Sequence, residues 1–232
     1  MLIDHTNQRV LDVLESREKA AVVAWLEAGK ASGLLGELQE VTCDMWDGYV
    51  EAAKEVFGPG VRIVIDRFHV MKNFQDGLTA ARREIQRGLD KEQAKELKGS
   101  RWLWVSNLEN LTAQQQGQLE ALKRKFPELR RLAEHREALR EIFEDRHVTT
   151  PEAGVTRLRQ WCERGRRLGL KALEKFNQTL ENWMDKIANY FVSRSSNGRT
   201  EGFNRGLRAI LWRASGMRNF THFRLRVLHG FG

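Results

Sequence analysis

The segment EVTCDMWDGYVEAAKEVFGPGVRIVID, residues 40–66, decides the fold class. Residues 40–43 and 61–65, at its two ends, predict short strands because β-branched residues are concentrated there. Residues 46–57 predict a helix that ends at Gly58-Pro59-Gly60, since this sequence breaks helices. A strand, a helix and a second strand in this order indicate a sheet with parallel members and helices packed on it. We therefore predict the α/β fold class.

The regions on either side of this segment differ in character. Residues 2–14 predict a β-hairpin whose turn contains Asp4, and residues 18–30 predict a helix. Residues 68–190 have almost no strand signal and predict an all-helical region, and two basic helices follow it, over residues 200–213 and 219–228. We expect the tryptophans of the helical region to lie in its core or in an interface, rather than to stack on bases: Trp102, Trp104, Trp161 and Trp183.

Charge and composition limit the classes of partner. The chain of 232 residues has 39 Lys and Arg against 31 Asp and Glu, a net charge of +8 and a pI of about 9.8. This balance favours polyanionic partners, although charge alone does not separate DNA from RNA or acidic protein. No apolar run approaches the roughly 20 residues that cross a bilayer, so no membrane partner is expected. The two cysteines form no CxxC motif, which fits the reducing cytoplasm and predicts neither a disulfide nor a zinc ribbon.

Two acidic residues occupy equivalent places in the predicted sheet. Asp44 and Asp66 each follow directly on the last residue of a predicted strand. In open α/β sheets, sites lie beyond the carboxyl ends of the strands, so both carboxylates could face one cleft. A strand-end Asp can equally cap the helix that follows it. The sequence leaves both roles open for each residue.

A third candidate carboxylate stands at the start of the first C-terminal helix. Glu201 is followed by Asn204 and Arg208 at spacings of three and four, so the three side chains share one helical face. A carboxylate beside amide and guanidinium donors suits a site that holds metal and phosphate together. The alternative is a solvated helix face on which Glu201 pairs with Arg205.

Four short motifs, each weak alone, follow one another in an order that is quite specific. They are CDMWDGY (43–49), DRFHV (66–70), NGRTEGFN (197–204) and GMRNF (216–220). Together they resemble the insertion-sequence transposases of the ISL3 type, which are relatives of the Mutator-like transposases. The resemblance extends from about residue 1 to the C-terminus.

This resemblance implies an RNase H-like mixed-sheet core interrupted by a large all-helical insertion. Residues 1–75 would form the first part of the core, residues 76–190 the insertion, and residues 191–232 the C-terminal helices that complete the core. In such a core three carboxylates, Asp, Asp and Glu, hold two divalent metal ions. The motif match places the second Asp at Asp44 and the Glu at Glu201. Oxygen ligands favour Mg²⁺ or Mn²⁺ over zinc.

The implied activity is metal-dependent cleavage and transfer of DNA strands, with transposon ends and target DNA as partners and no small-molecule substrate. Asp66 and His69 match an Asp-x-x-His element and, with Asn204, would support the cleft; His69 could instead orient DNA or a carboxylate. A homodimer is one candidate assembly, and the cytoplasm, at the nucleoid, is the expected location. We expect the arginines of the last two helices to bind DNA phosphates, the alternative being that they pair with acids of the insertion: Arg205, Arg208, Arg213, Arg218, Arg224 and Arg226.

The pattern departs from the family at its first carboxylate. The first Asp of the family belongs on an opening strand that precedes the hairpin, and Met1 stands where the second strand is already under way. Asp4 is acidic, but its neighbours predict a turn at the wrong end for the cleft. The zinc-binding and helix-turn-helix regions of the family have no counterpart either. Two hypotheses follow: a strand-transfer core that is incomplete and inactive alone, or a non-catalytic DNA-binding or dimerising remnant.

Overall fold

The computed structural model of the chain describes residues 1–36, 38–195, 198–213 and 219–232; within helix residues 198–213, the side chains at positions 199–201 and 204 lie outside that description. Two compact units share the chain. The first consists of residues 1–68 and 195–232, and the second of residues 69–194. The first unit holds the strands and the second is helical, so the chain is mixed α/β and mostly helical. The α/β class is confirmed.

The strands form two pairs of opposite type. β1 (Leu2–Asp4) and β2 (Arg9–Asp12) are antiparallel, as the hairpin prediction required. β3 (Glu40–Cys43) and β4 (Arg62–Ile65) are parallel, which confirms the parallel members predicted for residues 40–66. Over the described ranges, no hydrogen-bonded ladder joins the two pairs.

Two helices of the first unit pack together. α1 (Lys19–Ala31) contributes Val22 and Leu26 to a core, and α2 (Asp47–Phe57) contributes Ala52 and Val56. The predicted breaker after α2 is confirmed, because Gly58 has a φ of +86°, which L side chains rarely adopt. This turn returns the chain to begin β4.

The C-terminal helices belong to the same unit as the hairpin. They are α12 (Gly198–Arg213) and α13 (Phe220–Phe231). Val10 and Val13 of the hairpin region form a buried cluster with Val227 of α13, and apolar side chains of α12 pack against it. Residues far apart in sequence therefore share one core.

The second unit is built from helices that end close to the predicted breaks. Ser100, Thr112, Pro127 and Pro151 all lie at helix starts, where N-caps and first-turn prolines belong. The helices that make up this unit, the first of which begins two residues before it, are α3 (Arg67–Arg87), α4 (Lys91–Glu96), α5 (Arg101–Val105), α6 (Ala113–Lys125), α7 (Pro127–Glu144), α8 (Pro151–Arg166), α9 (Lys171–Asn182), α10 (Met184–Ala188) and α11 (Tyr190–Ser193).

The core of the second unit contains a stacked ring pair. The His135 ring lies parallel to the Trp161 ring with centroids 3.9 Å apart, and Trp161 Nε1 donates to the His135 carbonyl at 2.8 Å. Trp104 and Trp161 are buried as expected, and Trp183 is half-buried. Trp102 is 61% exposed and so does not lie in the core, which leaves the interface as its predicted place. Helix α5 has five residues, too few for a periodic pattern to identify its buried side.

Arg194, the last residue of the second unit, binds several backbone carbonyls of that unit. Arg194 donates through its guanidinium to the carbonyls of Phe143 at 2.8 Å and Asp145 at 2.7 Å, and also to that of Val148. These carbonyls lie at and just after the C-terminus of α7, where a cation is favoured because the helix leaves acceptors unpaired. The guanidinium also lies over the Tyr190 and Phe191 rings. Arg194 thus fixes the chain directly before it enters the first unit again.

Candidate active-site edge

The parallel strand pair brings two of the candidate carboxylates to one sheet edge. Cys43 is in register with Ile65, and the Asp66 N–H donates to the Cys43 carbonyl at 3.2 Å. Asp44 and Asp66 are the next residues on the two strands, so they leave the sheet side by side at its carboxyl end. Such an edge is where open α/β sheets place their sites.

The two carboxylates differ in their surroundings. Asp66 is fully buried, and its Oδ1 accepts the Phe68 N–H at 3.2 Å, so it caps the first turn of α3. Asp44 is exposed and precedes Trp46, which is the N-cap of α2. It therefore does not occupy a capping position. The two roles that the sequence left open are divided between the two residues: Asp66 serves as a cap, and Asp44 presents an accessible carboxylate.

The other candidates lie on helices. His69 is the third residue of α3 and is half-buried. Glu201 falls in the first turn of α12, so the predicted helix start is confirmed. The side chains of Glu201 and Asn204 lie outside the described residues, and the convergence of Glu201 with Asp44 stays a prediction.

Sequence reasoning missed a buried carboxylate in the hairpin. Asp12 is 4% exposed and accepts from the Val13 N–H at 2.7 Å and from Trp25 Nε1 at 2.7 Å. Arg224 also donates two hydrogen bonds to Asp12, from Nε to Oδ1 at 2.5 Å and from Nη2 to Oδ2 at 2.9 Å. Burial by itself would raise the pKa of Asp12, but the hydrogen bonds from Arg224 and Trp25 outweigh it and hold the pKa below its ordinary value. The one signal in the sequence is an Asp inside the apolar run VLDVL.

The hydrogen bonds of Asp12 decide its role. A carboxylate has about four lone-pair sites, and Asp12 accepts four hydrogen bonds. A metal ion would have to displace one of them. Asp12 is therefore a structural clamp that ties α1 and α13 to the hairpin.

Asp4 is likewise engaged in local structure. Its side chain accepts the N–H groups of Thr6 and Asn7 at 3.0 Å each, and the Asn7 amide donates to it as well. These bonds, led by that of the Asn7 side chain, lower the pKa of Asp4. Asp4 closes the hairpin turn, as the sequence predicted.

The chain matches known transposases along its length. The family model described as "Transposase", of the ISL3 type of DDE transposases, matches residues 1–227. The transposase for insertion sequence element IS1001 of Bordetella parapertussis is 26% identical over 234 residues, which cover 100% of this chain and 56% of that protein. The chain belongs to the ISL3-type transposase family. No solved structure matches it. The chain thus spans a little over half the length of the curated relative.

Family membership gives the strand-end carboxylates a context. DDE transposases generally use divalent metal ions. Among the described residues, no group of three or more His, Cys, Asp and Glu side chains is arranged to hold a metal. Both cysteines are buried free thiols, and burial raises the pKa of Cys162 to about 12, so it does not supply a thiolate. Cys162 is therefore not a candidate metal ligand.

The arginines predicted to bind DNA fall into three groups. Arg205, Arg208 and Arg213 are exposed on α12, and Arg226 is exposed on α13. Arg224 is bound to Asp12. Arg218 lies outside the described residues. The described helices include none long and apolar enough to span a membrane.

Proposed function

We propose that this chain forms part of the catalytic core of a DNA transposase, which cuts and transfers DNA strands for an insertion sequence. The observation that carries the proposal is the position of Asp44 and Asp66 directly after the paired residues Cys43 and Ile65 at one sheet edge, in a chain that belongs to a transposase family. DNA is the substrate and partner, and the cytoplasm, at the nucleoid, is the place of action. A homodimer is a further candidate state.

The proposed core is RNase H-like. The antiparallel and parallel strand pairs, which are two separate sheets among the described residues, would supply parts of one mixed sheet. Residues 76–190 would form the insertion, and residues 191–232 would return to complete the core. The order of the elements supports this arrangement, since a helical unit separates β4 and Asp66 from α12 and Glu201. It also allows a carboxylate on α12 to belong to the same compact unit as Asp44.

The donor set fits magnesium or manganese. Asp44 is an exposed carboxylate, and Glu201 offers a second oxygen ligand from the first turn of α12. Hard divalent cations take oxygen ligands of this kind. When bound, a pair of such ions would activate a water or a 3′-hydroxyl and stabilise the leaving oxygen of an in-line displacement at phosphorus.

The protein's own residues then have distinct tasks. Asp44 and Glu201 would hold the metal ions, while Asp66 fixes the start of α3 and supports the cleft floor. His69 and Asn204 would position DNA or a carboxylate. The exposed arginines of α12 would hold the phosphate backbone beside Glu201, because guanidinium groups form charge-assisted bonds to phosphate.

We further propose that the chain alone lacks a full set of metal ligands. Asp4 is engaged in its turn and Asp12 has its lone pairs occupied, so neither supplies the third carboxylate. A second candidate function is a non-catalytic DNA-binding remnant. The exposed arginines of α12 favour DNA binding whether or not the metal site is complete.

An assay of strand nicking and strand transfer tests the proposal. The chain alone, in Mg²⁺ or Mn²⁺, should neither nick nor join DNA. A chain extended upstream by the strand that carries the first Asp should do both, and Asp44→Asn should abolish this activity. Asp47→Asn, which changes another exposed acid three positions later, is the matched control. An extended chain that binds DNA without cutting it would favour the remnant.

The same assay checks the assignment of the triad. Activity of the short chain that disappears in Asp4→Ala would show that Asp4 is the first carboxylate. Activity that survives Asp4→Ala but not Asp66→Ala would show that the site uses a different set.

A further inference from the structure

The C-terminal end of the chain contains basic residues without acidic ones. Residues 202–232 contain six arginines and no Asp or Glu. One of these arginines is neutralised by Asp12.

Helix α12 has two distinct faces. Phe203, Leu207 and Ile210 pack against the buried cluster around Val10 and Val227. On the other side, positions 205, 208 and 212 follow at spacings of three and four, which places them on one face of a helix. All three residues at these positions are exposed. The outward face of α12, defined by Arg205, Arg208, Trp212 and Arg213, is therefore polar and positive with one aromatic ring.

Trp212 is the feature that a basic helix alone does not explain. It is 86% exposed, more than any other large hydrophobic residue in the part of the chain that the structure describes. An indole buries a large area when it packs, and here it packs against almost nothing. Trp102, the next most exposed at 61%, lies on a short helix whose one charged residue is Arg101. Trp212 differs because arginines stand on both sides of it.

The occupant of this face is identified by charge and by ring chemistry. A second copy of the face would meet its own like charges, and the acidic side chains that would pair with the arginines have no ring on which the indole could stack. A nucleic acid satisfies both features, because phosphates pair with arginines and every base presents a π-face to an indole. In a duplex the bases already stack on one another. Away from the ends of a duplex, a free π-face therefore requires an unpaired base.

We propose that the outward face of α12 binds a DNA strand at an unpaired base, which stacks on Trp212 while Arg205, Arg208 and Arg213 contact the flanking phosphates. This inference rests on the proposed function for its choice of DNA, and it narrows the substrate to DNA with unpaired bases, such as an opened or overhanging end. Phosphate contacts position the strand and the ring selects the unpaired base.

Fluorescence anisotropy with two labelled oligonucleotides tests the proposal. One is a blunt duplex, and the other is the same duplex with a short single-stranded overhang, both at one fixed salt concentration. The chain should bind the overhang at least fivefold more tightly. Trp212→Ala should weaken overhang binding roughly 5- to 100-fold, which is the range that a single base–aromatic stack supports, and should change blunt-duplex binding little. Trp212→Phe should keep most of the preference because its ring still stacks.

Trp102→Ala is the matched control, since it removes another exposed indole and should change neither affinity. Equal affinity of the parent chain for the two oligonucleotides, or a preference unaltered by Trp212→Ala, would overturn the inference and leave the proposed function standing. A parent chain that binds neither oligonucleotide would count against the proposed function as well. A dimer in sedimentation that Trp212→Ala dissociates would identify the face as an interface between copies and overturn the proposal.

Discussion

The arginines of the helical unit and those of the C-terminal helices have opposite electrostatic surroundings. In the helical unit, arginines pair with carboxylates of the same unit: Arg130 with Glu134, Arg136 with Glu137, Arg140 with Glu109, Arg157 with Asp145 and Arg166 with Glu181. On α12, Arg205 and Arg213 are exposed in a stretch that contains no acid after Glu201.

The difference shows that net charge is not evenly spread over the chain. Each ion pair of the helical unit offsets the charge of its arginine locally, within a unit that contains 25 Lys and Arg against 18 Asp and Glu over residues 69–194. The C-terminal residues 202–232 contain arginines and no acid, so their charge is of one sign. Two further arginines have structural roles: Arg194 donates hydrogen bonds to backbone carbonyls, and Arg224 donates to Asp12. If its location decides what an arginine does, substitutions in the two regions should have different effects.

The largest expected effect concerns the salt dependence of DNA binding. About five phosphate contacts from the C-terminal helices should make the affinity fall roughly 10²- to 10³-fold between 50 and 200 mM salt, because each contact releases condensed counterions. Arg205→Ala with Arg213→Ala should reduce the slope of log affinity against log salt by about two. Affinities measured over a salt series check both expectations.

The matched control for that series is a double variant of the helical unit. Arg130→Ala with Arg157→Ala removes the same charge from residues that are paired with acids. It should leave the slope unchanged. Equal effects of the two double variants would mean that the charge of the whole chain, rather than the C-terminal face, governs binding.

A second prediction concerns stability. Arg194→Ala removes a charged donor that serves three carbonyls, so it should lower the free energy of unfolding by roughly 3 kcal/mol. Arg194→Lys should recover little, since an ammonium group does not reproduce the planar fork. Arg213→Ala should change stability by less than about 0.5 kcal/mol, as is usual for exposed positions. Urea unfolding of the three variants compares them, and similar losses for Arg194→Ala and Arg213→Ala would refute the structural role of Arg194.

A third prediction concerns pH. Burial, with a smaller effect from Arg164, lowers the pKa of His135 from 6.5 to about 4. As the pH falls below 6.5, the unfolded chain takes up a proton at His135 while the folded state keeps a neutral ring. The contribution of this histidine to the free energy of unfolding is therefore complete above pH 6.5 and is lost as the pH falls towards 4. Between pH 7.5 and 5.0 the loss should be about 2 kcal/mol.

His135→Phe should flatten that dependence, because it keeps a ring against Trp161 and removes the titrating group. His135 Nε2 has no hydrogen-bond partner among the described residues, so an apolar ring forfeits no bond there. His147→Phe changes an exposed histidine of the same unit and serves as the control. Thermal unfolding at the two pH values gives the comparison, and an unaltered pH dependence in His135→Phe would remove His135 as its source.

Local signals explain which parts of this structure could be predicted. Residues 40–66 show strand, helix and breaker signals within one short segment, and the structure follows them to within a residue or two. Asp12 could not be predicted as a clamp, because its partner Arg224 comes from the other end of the chain. Nothing in the sequence separated Asp66 from Asp44 either. That distinction depends on whether the helix begins directly after the strand, as α3 does, or later, as α2 does.

The exposure of individual tryptophans could not be predicted from the sequence either. Trp102 was expected to lie in the core or in an interface and is exposed, and Trp212 was the subject of no prediction although it is the more exposed. Periodicity identifies the inner face of a helix only where the helix is long and its apolar residues agree. On α12, Leu211 and Trp212 are apolar residues on the exposed side, so hydrophobicity alone misleads.

Manganese binding tests the central claim most directly. Electron paramagnetic resonance of Mn²⁺ titrated into the chain measures the bound ion without requiring activity. The account predicts one weakly held ion, which is lost in Asp44→Asn and in Glu201→Gln and retained in the Asp47→Asn control. Asp44→Asn and Glu201→Gln variants that bind Mn²⁺ as well as the parent chain would contradict the claim that these two residues share a metal site.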